Sequence, residues 1–160
     1  MAVDLISKKI RQYMLDKEET ISVAESVTSG GLQLKFSAIP DAEKFFQGGI
    51  TAYNIGQKYR HLAVEPIHAQ AKNCVSQQVA NQMALEVCNL FQSNWGIGIT
   101  GYATPVEESG NKTFCFFAVV HYKKILSSGK IEGLDKNPKQ VQEYYCNYVF
   151  KELSEILRGL

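Results

Sequence analysis

The chain has 160 residues, 45% hydrophobic and 21% charged, and 17 Lys+Arg against 16 Asp+Glu leave a net charge of +1. That length and balance describe one domain with a real core, and they give no electrostatic case for nucleic acid or an acidic membrane surface as partner. The longest apolar run, residues 114–120, is too short to span a bilayer, and residues 1–14 carry charges throughout with no signal-peptide core, so the expected compartment is cytoplasmic.

Leu5, Ile6, Ile10, Tyr13 and Met14 share one face at helical spacing and predict a first helix. A charged turn over 16–19 leads to a short buried strand over 20–24. The segment Ala24-Glu25-Ser26-Val27-Thr28-Ser29-Gly30-Gly31 then carries the chain through a turn into a helix over 30–37, which stops before Pro40. Residues 45–54 read as a strand with Gly48-Gly49 inside it, a pair that signals a bulge or the close approach of a ligand. A short helix over 55–62 and a connector over 64–73 containing Pro66 follow. Ser76 is a good N-cap for a long helix to Phe91, with Val79, Met83, Val87 and Leu90 on its apolar face.

Residues 95–100 read as a strand and 101–112 as a polar loop. Residues 113–122 and 125–131 form an antiparallel pair around Lys123-Lys124. After a turn region over 133–138, a closing helix over 140–157 turns Val141, Tyr145, Tyr148, Val149, Leu153 and Ile156 inward. Early alternation of strands and helices with a late hairpin predicts an α/β fold. Its form is a three-layer α/β/α sandwich with a mixed β-sheet, a single domain over residues 1–160.

The turn after the first strand carries the main chemical signal. N–H groups at a helix start favour negative charge. A serine held there can attack a carbonyl, with the N–H groups around 28–31 stabilising the oxyanion. The competing reading is that such hydroxyls only cap the helix. Cys74, Cys88, Cys115 and Cys146 form no C-x-x-C pair and sit among apolar neighbours, which predicts buried thiols without disulfides. His61, His68 and His121 are scattered, so no metal is expected.

The run from Ser22 to Val64 resembles the CinA C-terminal domain family, also known as the nicotinamide mononucleotide deamidase family. That family shows an A-E-S-C-T-G-G turn, a P-G-S-S segment and then F-x-G-G-x-x-x-Y-x-x-x-x-K. Here Ala24 to Gly30 matches the turn, with Val27 for the usual Cys and Ser29 for the first Gly. Pro40 matches the proline, and Phe46, Gly48, Gly49, Tyr53 and Lys58 match the second block without a gap. Val75-Ser76 matches the family's V-S and Ile99-Thr100-Gly101 its V-T-G.

The resemblance implies a serine amidohydrolase that converts nicotinamide mononucleotide to nicotinic acid mononucleotide and ammonia without metal or cofactor. Ser26 is then the nucleophile, with Lys58 and Tyr53 handling its proton. Glu25, Thr28, Gly30, Gly48, Gly49, Thr100, Gly101 and Lys136 are the implied substrate-binding positions. A lysine base needs burial, because its ordinary pKa of ~10.4 leaves it protonated at neutral pH. Two departures stand out. The family's I-A-G-P-G-G-G loop is Tyr102-Ala103-Thr104-Pro105-Val106-Glu107-Glu108 here, and the arginine of its G-D-R segment is replaced, with Lys136 or Lys139 left to carry positive charge.

Lost glycines and added carboxylates disfavour a phosphate site. Two other readings therefore stand beside the deamidase: an amidase with a changed substrate, and a non-catalytic relative that binds a nucleotide or protein. The chain opens on the helix before the family domain and reads as a stand-alone form. A homo-oligomer is expected by analogy, with Tyr144, Tyr145, Tyr148 and Phe150 as interface or as packing.

Overall fold

The computed structural model describes residues 2–160, with side chains from Leu5 onward. Helix α1 (Ala2–Lys17) sets Ile10 and Met14 into the core, while Leu5, expected on the same face, is 56% exposed. Strand β1 (Ile21–Glu25) is buried at every position. The chain continues through α2 (Gly31–Ser37), β2 (Phe46–Thr51), α3 (Ile55–Leu62), α4 (Pro66–Ala71) and α5 (Gln77–Phe91). It ends with β3 (Trp95–Tyr102), β4 (Phe114–His121), β5 (Lys124–Glu132) and α6 (Pro138–Arg158).

The sheet order is β2-β1-β3-β4-β5, with β1 parallel to β2 and to β3 and the last two strands antiparallel. Period-two alternation sends neighbouring side chains of β1 to opposite faces. Ile21 and Val23 join Ile10, Phe36, Tyr145 and Val149 in the core beneath α1, α2 and α6. Ala24 joins Leu62, Val79 and Met83 beneath α3, α4 and α5. The result is the expected α/β/α sandwich around a five-stranded mixed sheet. Among the described residues no helix is long and apolar enough to cross a membrane.

Several local expectations change. Residues 64–73 hold α4, because Glu65 accepts the N–H groups of Ile67 and His68 and Pro66 takes the first helical position, where no N–H is needed. Strand β3 runs two residues further, to Tyr102, and the polar loop contains a one-turn 3-10 helix, Glu107–Ser109. Leu90 is 48% and Tyr148 41% exposed, whereas Tyr145 and Phe150 pack in the chain's own core. In β2, the pairing partner steps from Phe46 to Gly48 as β1 advances from Ile21 to Ser22, so the glycine pair serves a bulge. Gly48 has φ 124°, which favours glycine, and a Cβ on Gly49 would stand 2.5 Å from Gln33.

Strand β1 is the point where the sheet changes direction of growth, with β2 on one side and β3 on the other. In α/β sheets the crevice beyond the strand ends at such a point is where ligands sit.

Candidate active site

Ser26 is the first residue after β1, and its N–H donates to the Ile99 carbonyl at 3.1 Å, fastening the turn to β3. It is 7% exposed and lines a cavity of about 520 Å³. Lys58 reaches the same place from α3. Asn54 starts that helix by accepting the Gln57 N–H, and one turn later Lys58 is directed inward at 1% exposure. Its Nζ donates to the Ala52 carbonyl and to Ser26 Oγ, both at 2.9 Å.

No carboxylate forms an ion pair with Lys58 among the described residues. Burial therefore pushes its pKa down, with only the Cys74 thiol acting against this. Burial raises the Cys74 pKa in turn, which keeps that thiol neutral. The Ala52 carbonyl can only accept, so it orients one N–H of Lys58; when the amine is neutral, its lone pair can face the Ser26 hydroxyl.

Glu25 has a different task from the one expected. Its position in β1 shares a parity with Ile21 and Val23, which turns the side chain toward α2. There the fully buried carboxylate accepts the Thr28 hydroxyl (2.6 Å), the N–H groups of Leu32 (2.7 Å) and Gln33 (3.0 Å), and the Gln33 side chain (3.0 Å). Glu25 and Thr28 are thus the scaffold of the turn, outside the cavity wall. Ser29 (φ 48°) and Gly30 (φ 98°) are the turn's two left-handed residues ahead of α2.

The oxyanion donors expected around 28–31 are partly engaged: Ser29 N–H bonds the Ser26 carbonyl and Gly31 N–H the Thr28 carbonyl. The N–H groups of Val27 and Thr28, directly after Ser26, have no partner among the described residues.

Thr100 and Gly101, at the end of β3, do line the cavity. The Thr100 hydroxyl donates to the Cys74 carbonyl at 2.7 Å and is thereby held as a structural tie. A Cβ on Gly101 would stand 2.4 Å from that of Cys115, so β4 demands the glycine. Tyr53 stands at the mouth, 67% exposed, and makes no hydrogen bond with Ser26 or Lys58 among the described residues. Gly48 and Gly49 belong to the bulge, and Lys136 is exposed outside the wall.

Residues that sequence reasoning did not single out complete the wall. Asn73 donates to the Tyr102 hydroxyl at 3.1 Å, Tyr102 contacts the Phe114 ring edge-on, and Gln142 of α6 donates to the Val27 carbonyl at 2.8 Å. Cys74 is the partly exposed one of four free thiols. Only tertiary contact brings these residues to Ser26; no local pattern marks them. Among the described residues, no group of His, Cys, Asp and Glu is arranged to hold a metal ion.

Comparison with known proteins bears on this geometry. The sequence model of one family, the CinA C-terminal domain, matches residues 4–157. A CinA-like protein of Prochlorococcus marinus (strain NATL2A) is 32% identical over 142 residues, covering 88% of this chain and 33% of the relative. A CinA-like protein of Picosynechococcus sp. is 42% identical over 103 residues, 64% of this chain and 25% of the relative. The chain thus spans a quarter to a third of these curated relatives. The competence-damaged protein (CinA) superfamily protein from Enterobacter cloacae superposes with a TM-score of 0.90 at 26% identity, covering 97% of this chain and 92% of that one. A competence or damage-inducible protein from Enterobacter asburiae gives 0.90 at 24% identity, with 97% and 98% covered.

Proposed function

The chain belongs to the CinA C-terminal domain family, and on that premise we propose that it is a serine amidohydrolase of the nicotinamide-nucleotide amidase type. The observation that carries the reading is the buried Lys58 amine, 2.9 Å from the Ser26 hydroxyl and without a carboxylate partner among the described residues.

An amide is a poor electrophile, and serine is a weak nucleophile until a base takes its proton. Lys58 in its neutral form accepts the Ser26 proton as Oγ bonds to the carboxamide carbon. The carbonyl electron pair moves to oxygen, where the N–H groups of Val27 and Thr28 are the nearest unengaged donors in sequence. As the pair returns, the C–N bond breaks and the Lys58 ammonium protonates the departing amine, releasing ammonia. Lys58 then deprotonates water, which attacks the ester carbon. The C–Oγ bond breaks, Ser26 recovers its proton from the Lys58 ammonium, and the carboxylic acid so formed gives its proton to solvent and leaves as a carboxylate. Ser26 and Lys58 cover every proton transfer, so the scheme calls for no metal or cofactor. The cytoplasm is the proposed compartment, in keeping with four free thiols.

The test is ammonia release from nicotinamide mononucleotide and from nicotinamide riboside. Turnover of either amide that vanishes in both Ser26→Ala and Lys58→Ala supports the reading. No ammonia from either amide with folded wild-type protein overturns it.

A further inference from the structure

We infer that Tyr102 and Asn73 are a specificity-determining pair that takes the hydroxyls of a sugar attached to the ring carrying the carboxamide. The inference rests on the amidohydrolase reading above and concerns a second contact region of the same cavity.

Neither residue belongs to the motif positions that carry Ser26 and Lys58, yet both line the cavity. Asn73 Nδ2 donates to the Tyr102 hydroxyl at 3.1 Å. Among the described residues, the Tyr102 O–H proton and Asn73 Oδ1 have no other partner. The pair thus offers one donor and one acceptor side by side. A sugar hydroxyl both donates and accepts, so two adjacent hydroxyls match the pair. A phosphate dianion only accepts and leaves Asn73 Oδ1 unmatched.

Depth and spacing set the pair one ring away from the chemistry. Ser26 and Lys58 are buried, whereas Tyr102 is half-buried and Asn73 exposed. Ser26 N–H is bonded to the Ile99 carbonyl. Tyr102 lies three residues further along β3, about 10 Å at the rise of an extended strand. A substrate whose carboxamide meets Ser26 extends its ring toward the mouth, and the group on the ring's far side reaches the level of Tyr102.

Both side chains stand on fixed backbone. Thr100 and Tyr102 share a face of β3. The Thr100 hydroxyl donates to the Cys74 carbonyl at 2.7 Å, and the Cys74 N–H to the Ala69 carbonyl at 2.6 Å. These ties hold Asn73 (φ 50°) and Cys74 (φ 60°) left-handed in succession, a costly conformation outside glycine. The Tyr102 carbonyl accepts the Tyr145 hydroxyl at 2.9 Å, and its ring meets Phe114 edge-on. A pair presented this rigidly loses little freedom on binding.

Calorimetry separates the pair from the chemistry. Ser26→Ala and Ser26→Ala/Tyr102→Phe are titrated with nicotinamide mononucleotide and with its 2′,3′-dideoxy analogue. Loss of the Tyr102 hydroxyl is expected to weaken mononucleotide binding about tenfold and dideoxy binding by less than about twofold. Asn73→Gly, which keeps the left-handed backbone, is expected to show the same selectivity in the same background. Equal weakening of both ligands, unchanged affinity for the mononucleotide, or no binding of it overturns the inference. If both proteins bind the analogue too weakly to measure, the mononucleotide loss decides. Ammonia release by the wild-type protein tests the amidohydrolase reading on its own. Absent turnover with selective loss of binding removes that reading and leaves the sugar contact standing, whereas turnover without selective loss removes the pair alone.

Discussion

Lys58 Nζ lies 2.9 Å from Ser26 Oγ across 32 residues of sequence, and its other partner is the carbonyl of Ala52. A carboxylate in that second place would hold the amine protonated. A carbonyl orients it without adding charge, so burial alone sets the direction of the pKa shift.

Removal of the nucleophile separates chemistry from binding. Ser26→Ala is expected to lower kcat for amide hydrolysis about 10⁴-fold or more, with substrate affinity largely retained. Ammonia release and calorimetry measure the two effects. Residual turnover near the wild-type rate would remove Ser26 from the mechanism.

Lys58→Met tests what the buried amine costs. At pH 7 the unfolded lysine is protonated, while the folded one has a lowered pKa. The unfolded state therefore binds more protons between the folded value and ~10.4, and wild-type stability rises with pH across that window. Methionine has no such term. The variant is expected to be inactive yet more stable at neutral pH by about 0.5–2 kcal/mol, with the gain shrinking as pH rises. Urea unfolding at pH 6, 7 and 9 shows the trend, and a gain that grows with pH would contradict it.

The rate should follow the same group. The neutral amine is the active form, so kcat/KM is expected to rise with pH and level off at an apparent pKa below ~10.4. Lys58→Arg keeps the charge but stays protonated throughout, and should show no turnover and no such limb. A flat wild-type profile over pH 6 to 9 would argue against a lysine base that titrates there.

Glu25 should act through structure. Its carboxylate gathers four donors at the start of α2. Glu25→Gln turns one acceptor into a donor facing N–H groups, and is expected to destabilise the fold by about 1–3 kcal/mol. Activity should fall through a lower kcat, because the turn that presents Ser26 loosens, and KM should change less. Denaturation midpoints together with steady-state constants check both halves.

The sandwich was legible because buried strands and amphipathic helices announce themselves by period, and Ser26 and Lys58 were legible as motif positions. Roles were harder. Glu25 stands beside the nucleophile in the motif, and only the parity of β1 reveals that it faces α2. Gly48-Gly49 left bulge and ligand contact open until the step in register against Ile21 and Ser22 decided it. Helix α4 reads as a connector in the sequence, although Glu65-Pro66 offers a cap followed by a first-turn proline. The meeting of Asn73 with Tyr102, and of Gln142 with Val27, joins segments 29 and 115 residues apart, beyond the reach of any local pattern.

Cys74 gives the cavity a built-in chemical reporter. Its three fellow thiols are buried, while it is partly exposed in the wall within electrostatic range of Lys58. A thiol-directed label applied to the folded chain meets this position first, at a slow rate set by its raised pKa. Any compound that fills the cavity shields it, so the labelling rate becomes a readout of occupancy that needs no knowledge of what the compound is.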